Sequence, residues 1–207
     1  MTAPTTDPAG ADRGDVRDAK RALRLQVLAQ RDRMPAAARG EAGRAIVTAL
    51  AARADFDAAL TLLLTLPFGS EWDTRPLVAL AQTRRKIVVV PRVNRPANIL
   101  ELAVVNDLDR DVAPGYRGIL EPRAHCAALA LEAVDWVLAP GVAFDPTGHR
   151  VGYGGGHFDR LLSSLPAAVP RIAGAFDMQI VASVPLEAHD LAVDAIVTES
   201  RTIAAAR

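Results

Sequence analysis

The chain is 207 residues long and half of them are apolar, enough to build the core of one large domain. Its 24 basic residues match its 24 acidic ones, and no apolar run is long enough to cross a bilayer. Wholesale disorder, a membrane partner and a general nucleic-acid-binding surface are therefore not expected. Cys126, the single cysteine, has no partner for an internal disulfide, and the start lacks a basic-then-apolar leader pattern, so a reducing cytoplasm is the expected compartment.

Residues 1–13 mix Thr, Pro, Gly, Asp and Ala without periodicity, which predicts a disordered amino-terminal tail ahead of one folded domain over 14–207. Val16, Leu23, Val27 and Met34 recur on one stripe of a helix over Asp15–Met34, from which Leu25 and Leu28 stray; Pro35 breaks it. A second helix is expected over Ala36–Arg53. The chain then turns to Ala59-Leu60-Thr61-Leu62-Leu63-Leu64-Thr65-Leu66, closed by Pro67 and Gly69, the composition of a buried strand. Similar strands are expected at Lys86–Val90, Asp135–Ala139, Arg171–Phe176 and Asp194–Thr198, with an extra amphipathic strand at Ile99–Val104. Helices are expected between them at Thr74–Thr83, with Thr74 as N-cap, and at Phe158–Leu165. Runs apolar on both faces belong inside parallel sheets, so the alternation implies an α/β layered domain with helices on both faces.

The least ordinary stretch runs from Pro140 to Leu162, leaving a predicted strand and opening a helix. Gly152, Gly154, Gly155 and Gly156 let backbone N–H groups converge, and the following helix adds free donors and the positive end of its dipole. Such a loop suits an anion, with phosphate the natural occupant; the alternative is a merely flexible turn. No Gly-Lys-Ser or Gly-Lys-Thr is present, so it is not a Walker loop. A dinucleotide fingerprint fits in part through Gly152-x-Gly154 and Asp177, but His157 replaces its third glycine and Val142–Val151 separates the glycines from the strand.

Asp159, just inside that helix, reads either as a magnesium ligand beside phosphates or as a partner of the helix dipole or of Arg160. Asp194, opening the last strand, is either a second ligand or a strand-start turn residue. Arg17, Lys20, Arg21, Arg24 and Arg31 cover about a third of the first helix beside its apolar stripe, as charges for a polyphosphate or as a solvated basic face. After the first strand, Glu71 can bond a heterocycle and Trp72 can stack, or Glu71 is exposed and Trp72 core. His125-Cys126 has no partners at zinc spacing and no Gly-x-Ser-x-Gly elbow is present, so zinc hydrolysis and acyl-enzyme chemistry are not expected.

Several motifs recur in order over residues 18–199: Lys20-x-x-x-Arg24, Leu66-Pro67 with Glu71-x-Asp73-Thr74, Lys86 to Arg92, and Gly118-Ile119-Leu120-Glu121-Pro122. Pro140 to Asp145, Gly152 to Arg160, Phe176-Asp177-x-Gln179 and Val193 to Glu199 complete the set. Together they resemble the 5-formyltetrahydrofolate cyclo-ligase, or methenyltetrahydrofolate synthetase, family. The resemblance implies a doubly wound, mostly parallel, Rossmann-like α/β fold forming a single catalytic domain. It implies a reaction in which Mg-ATP phosphorylates the formyl oxygen of 5-formyltetrahydrofolate, N10 attacks the activated carbon, and phosphate leaves to give 5,10-methenyltetrahydrofolate. Carried over by position, Lys20, Arg24, Arg150, Val151, Gly152, Tyr153, Gly154, Gly155, Gly156, His157 and Phe158 contact ATP. Leu66, Glu71 and Tyr153 to His157 face the folate, and Asp159 and Asp194 hold Mg²⁺. Lys20, Arg24, Arg150 and Asp159 are the expected catalytic set, in a monomer whose partners are these small molecules. The family usually has two tyrosines where this chain has His157-Phe158, and an imidazole can still stack or hydrogen-bond there.

Overall fold

The computed structural model describes residues 8–205, with side chains from residue 14. In chain order it comprises α1 (Pro8–Asp32), α2 (Ala36–Ala51), α3 (Ala54–Ala58), β1 (Thr61–Leu63), α4 (Arg75–Thr83), β2 (Ile87–Asn94), β3 (Ile99–Val104), α5 (Leu108–Asp111) and β4 (Val112–Pro114). β5 (Leu120–Pro122), β6 (Trp136–Leu138), β7 (Ala143–Phe144), β8 (Arg150–Val151), α6 (His157–Ser164), β9 (Arg171–Gly174), β10 (Ala195–Val197) and β11 (Thr202–Ala204) follow. The helix expected from Asp15 starts earlier, at Pro8, inside the segment read as a disordered tail. Residues 1–7 of that segment lie outside the described residues.

Seven strands form one sheet in the order β11-β10-β9-β6-β1-β2-β3. The five inner strands run parallel, and β3 and β11 close the edges antiparallel. Strand alternation sends side chains to opposite faces with a period of two. On one face Leu62, Leu64, Val88, Val90, Trp136 and Ile172 pack with Ile46 and Leu50 of α2 and Leu77 and Val78 of α4. On the other, Leu63, Val89, Val137, Ala173 and Ile196 pack with Leu161 and Leu162 of α6. Helices cover both faces, so the doubly wound α/β architecture of a single domain is realised. β11, which lay beyond the last expected strand, is a three-residue edge strand with an exposed–half-buried–exposed pattern, too short for periodicity to mark it.

From β1 the chain winds outward to β2 and β3 on one side, and later to β6, β9 and β10 on the other. The carboxyl ends of β1 and β6 therefore flank a topological switch point, where such sheets open a crevice. Local contacts shape that crevice. Trp72, in the turn after β1, is core: its Nε1 donates to Gly174 O at 2.8 Å, and a Cβ on Gly174 would stand 2.4 Å from its ring. Thr74 occupies the N-cap position of α4 but does not cap it, because its hydroxyl donates back to Thr65 O at 2.7 Å.

α1 lies over this end of the molecule with Val27 packed on Val142, Ala143, Val151 and Val184. Lys20 and Arg31 are buried on the same face and Arg24 is half-buried, so these cations form part of the inward face, whereas Arg17 and Arg21 stay exposed as a solvated basic face would have them.

Candidate active site at the switch point

A cavity of about 630 Å³ occupies the crevice. The β7–β8 hairpin accounts for the residues between β6 and the glycines and delivers Arg150 to the cavity wall. Gly154 and Gly156 then take φ of +97° and +63°, conformations a Cβ disfavours. They turn the chain into α6, the first turn of which contains Asp159.

Five Lys and Arg side chains line the cavity: Arg17, Lys20 and Arg24 from α1, Arg117 and Arg150. Arg24 Nε donates to Gly152 O at 2.7 Å, tying α1 to the glycine loop. Lys20 Nζ donates to Glu187 Oε2 at 2.8 Å and also to Asp190, two carboxylates that belong to none of the sequence motifs. Nothing but a local density of acidic residues marks that loop in the sequence. Arg150 is buried, its Nη2 donating to Asp159 Oδ1 at 2.8 Å, while its Nε is buried without a partner among the described residues. Asp159 therefore pairs with Arg150, nine residues before it, and not with the neighbouring Arg160 that sequence proximity suggested as one alternative. Burial lowers the Arg150 guanidinium, and the charges of Asp159 and Asp190 oppose that shift.

Leu66, Phe68, Val90, Pro91, Leu100 and Leu120 supply an apolar wall. Glu71 faces it from the turn after β1, accepting from Tyr153 Oη at 2.6 Å and from the Phe68 N–H at 2.9 Å. Burial pushes the Glu71 carboxyl above the ordinary carboxylate range, partly offset by the Tyr153 hydrogen bond, the Arg31 charge and the Phe68 N–H. His157, half-buried, has its pKa lowered by burial and then by Arg160.

The structure brings together on one cavity Lys20, Arg24, Leu66, Glu71, Asp159 and every residue from Arg150 to Phe158. It does not bring Asp194 there. That residue precedes β10 at the amino-terminal end of the parallel strands, where its carboxylate accepts from the Arg171 N–H at 2.8 Å. Asp177 is also absent from the cavity wall, which removes the ribose contact a dinucleotide site needs; its N–H is bound by Glu199 and its carboxylate by Ser200.

A doubly wound α/β sheet with a glycine loop and converging cations at its switch point defines a class: α/β enzymes that place anionic ligands at the carboxyl ends of their strands. Within that class, the chain belongs to the 5-formyltetrahydrofolate cyclo-ligase family, whose profile matches residues 16–199. The Escherichia coli K12 5-formyltetrahydrofolate cyclo-ligase is 33% identical over 144 residues, covering 68% of this chain and 79% of the relative. The mouse 5-formyltetrahydrofolate cyclo-ligase is 23% identical over 198 residues, 89% of this chain and 95% of the relative. The solved structure of Aquifex aeolicus 5,10-methenyltetrahydrofolate synthetase superposes with a TM-score of 0.79 at 29% identity, covering 89% of this chain and 92% of that one.

Proposed function

We propose that this enzyme closes the imidazoline ring of 5-formyltetrahydrofolate at the expense of ATP, releasing 5,10-methenyltetrahydrofolate, ADP and phosphate. The supporting observation is that the cationic glycine loop and the apolar wall with Glu71 line one continuous cavity, so two ligands can meet at residues Tyr153 to His157. The formyl oxygen displaces ADP at the γ-phosphorus; N10 then adds to the activated carbon, its proton is lost, and phosphate departs with the C–O electrons. An amide oxygen is a poor leaving group until phosphorylated, and phosphoryl transfer asks mainly for positioning and charge neutralisation.

The backbone donors of the loop, with Lys20, Arg24 and Arg150, hold the polyphosphate. The unpartnered Nε of buried Arg150 fits an incoming anion. Leu66 and the apolar wall exclude water from the activated formyl group, and Glu71 orients the heterocycle as an acceptor. Asp159 at the cavity wall fits Mg²⁺, which takes one or two carboxylates and completes its shell with phosphate oxygens and water. When bound, the ion neutralises charge on the phosphates. Asp194 has no part in this reading because of its place at the opposite end of the strands.

Purified protein supplied with Mg-ATP and 5-formyltetrahydrofolate is expected to form the methenyl chromophore, with ADP and phosphate appearing in equal amounts, and omission of either ATP or magnesium should stop it. Protein that binds both ligands yet forms no chromophore would overturn the assignment.

A further inference from the structure

Arg31 lies two helical repeats beyond Arg24 on the inward face of α1 and is 1% exposed. Its Nε donates to Ser70 Oγ at 2.9 Å and its Nη2 to Tyr153 Oη at 2.8 Å. Nη1 is buried without a partner among the described residues. Because the Tyr153 hydroxyl in turn donates a hydrogen bond to Glu71, one guanidinium ties α1, the turn after β1 and the glycine loop into a single chain of hydrogen bonds. Beside it lies a small cavity of about 20 Å³, shared with Thr65, Glu71 and Gln179 and large enough for one water. As a source of stability this arrangement is poor, since a buried charge with an unpaired nitrogen is costly to desolvate. It is effective as a means of holding a phenol and a carboxylate at fixed angles.

We propose that Arg31 is a positioning residue for the folate-facing wall: it fixes Tyr153 and keeps Glu71 an oriented, ionised acceptor. The inference rests on the folate reading of that wall. Burial raises the Glu71 carboxyl, and the Arg31 charge is among the effects that oppose the rise. The titratable and charged groups facing Glu71 are Arg31 from α1 and Tyr153 from the glycine loop; Asp32 is reached only through Ser70. Burial and the Glu71 charge push the Tyr153 phenol up, so it stays a donor at neutral pH.

The test compares Arg31→Met and Arg31→Lys with the parent protein. Without the guanidinium, Glu71 titrates at higher pH, so the acid limb of 5-formyltetrahydrofolate binding should move upward by about one pH unit or more, a roughly tenfold loss at the parent's midpoint. ADP binding should stay within about twofold, because the polyphosphate cations are untouched. Arg31→Lys keeps the charge and loses the fork, so its limb should stay in place while folate affinity falls several-fold. A carboxyl ¹³C titration of Glu71 in the ligand-free protein reads the same shift without substrate, and Arg31→Gln supplies a neutral variant should Arg31→Met fail to fold. An unshifted Glu71 titration, or equal loss of folate and ADP binding with an unmoved limb, overturns the proposal. A shifted titration in a protein that never binds 5-formyltetrahydrofolate supports Arg31 as positioning Glu71 and defeats the folate reading instead.

Discussion

Asp159 faces two demands, a 2.8 Å pair with the buried Arg150 and a place at the cavity wall. Asp159→Asn keeps an amide oxygen for Arg150 but is a poor magnesium ligand, so the fold should survive while turnover falls by about a hundredfold. Circular dichroism and rates measured against magnesium concentration check this; unchanged turnover at limiting magnesium would reduce Asp159 to a partner of Arg150. Lys20 is held toward the cavity by Glu187 and Asp190. Lys20→Ala should raise the KM for ATP by about tenfold or more, the worth of a charge-assisted hydrogen bond, and leave folate binding near normal. Loss of folate binding alone would assign the cation to the other ligand. His157 illustrates a sign that burial decides. With its folded pKa below the unfolded value, the neutral ring is the form the fold favours, so its contribution to stability is present above the unfolded pKa and is lost as pH falls through the folded one. His157→Tyr should retain turnover and flatten any dependence of rate on pH below about 6.5. Identical profiles would remove imidazole ionisation from the mechanism.

Among the elements, the turn after β1 and the end of β9 are locked by one contact. A Cβ on Gly174 would meet the Trp72 ring at 2.4 Å and Ile46 at 3.1 Å, so Gly174→Ala should destabilise the protein by about 1–3 kcal/mol and disturb the wall that presents Glu71. Chemical denaturation reads the first effect, and an unchanged midpoint would show that the turn yields freely. Among the described side chains of α1, the first with a partner at the site is Arg17, 3.5 Å from Glu187. A chain beginning at Gly14 should therefore keep its turnover and melting temperature, and loss of either would show that the earlier helical turns are docked.

At the scale of the whole molecule, both proposed ligands sit between the two halves of the sheet, so binding should stabilise the fold as a unit. Mg-ADP at about a hundred times its Kd adds about 2.7 kcal/mol, which for a domain of this size raises Tm by roughly 5–11 °C. A thermal scan with and without Mg-ADP measures it, and no shift at saturating ligand would place the nucleotide elsewhere. The amino-acid sequence by itself determined the inner sheet, because Leu62–Leu64, Val88–Val90 and Trp136–Leu138 are apolar on both faces and only a parallel, doubly covered sheet buries them. It also determined the glycine loop, since Gly152 to Gly156 carry their conformational signature locally. What the tertiary structure alone decided are two pairings across long sequence separations, Arg31 with Tyr153 and Lys20 with Glu187 and Asp190, and the local choice of Arg150 for Asp159 in place of the adjacent Arg160. It also placed Asp194 at the far end of the strands and turned Lys20 and Arg31 of α1 inward. Periodicity reports which face of an element is apolar, but it is blind to a charged side chain whose burial is compensated by partners more than a hundred residues away.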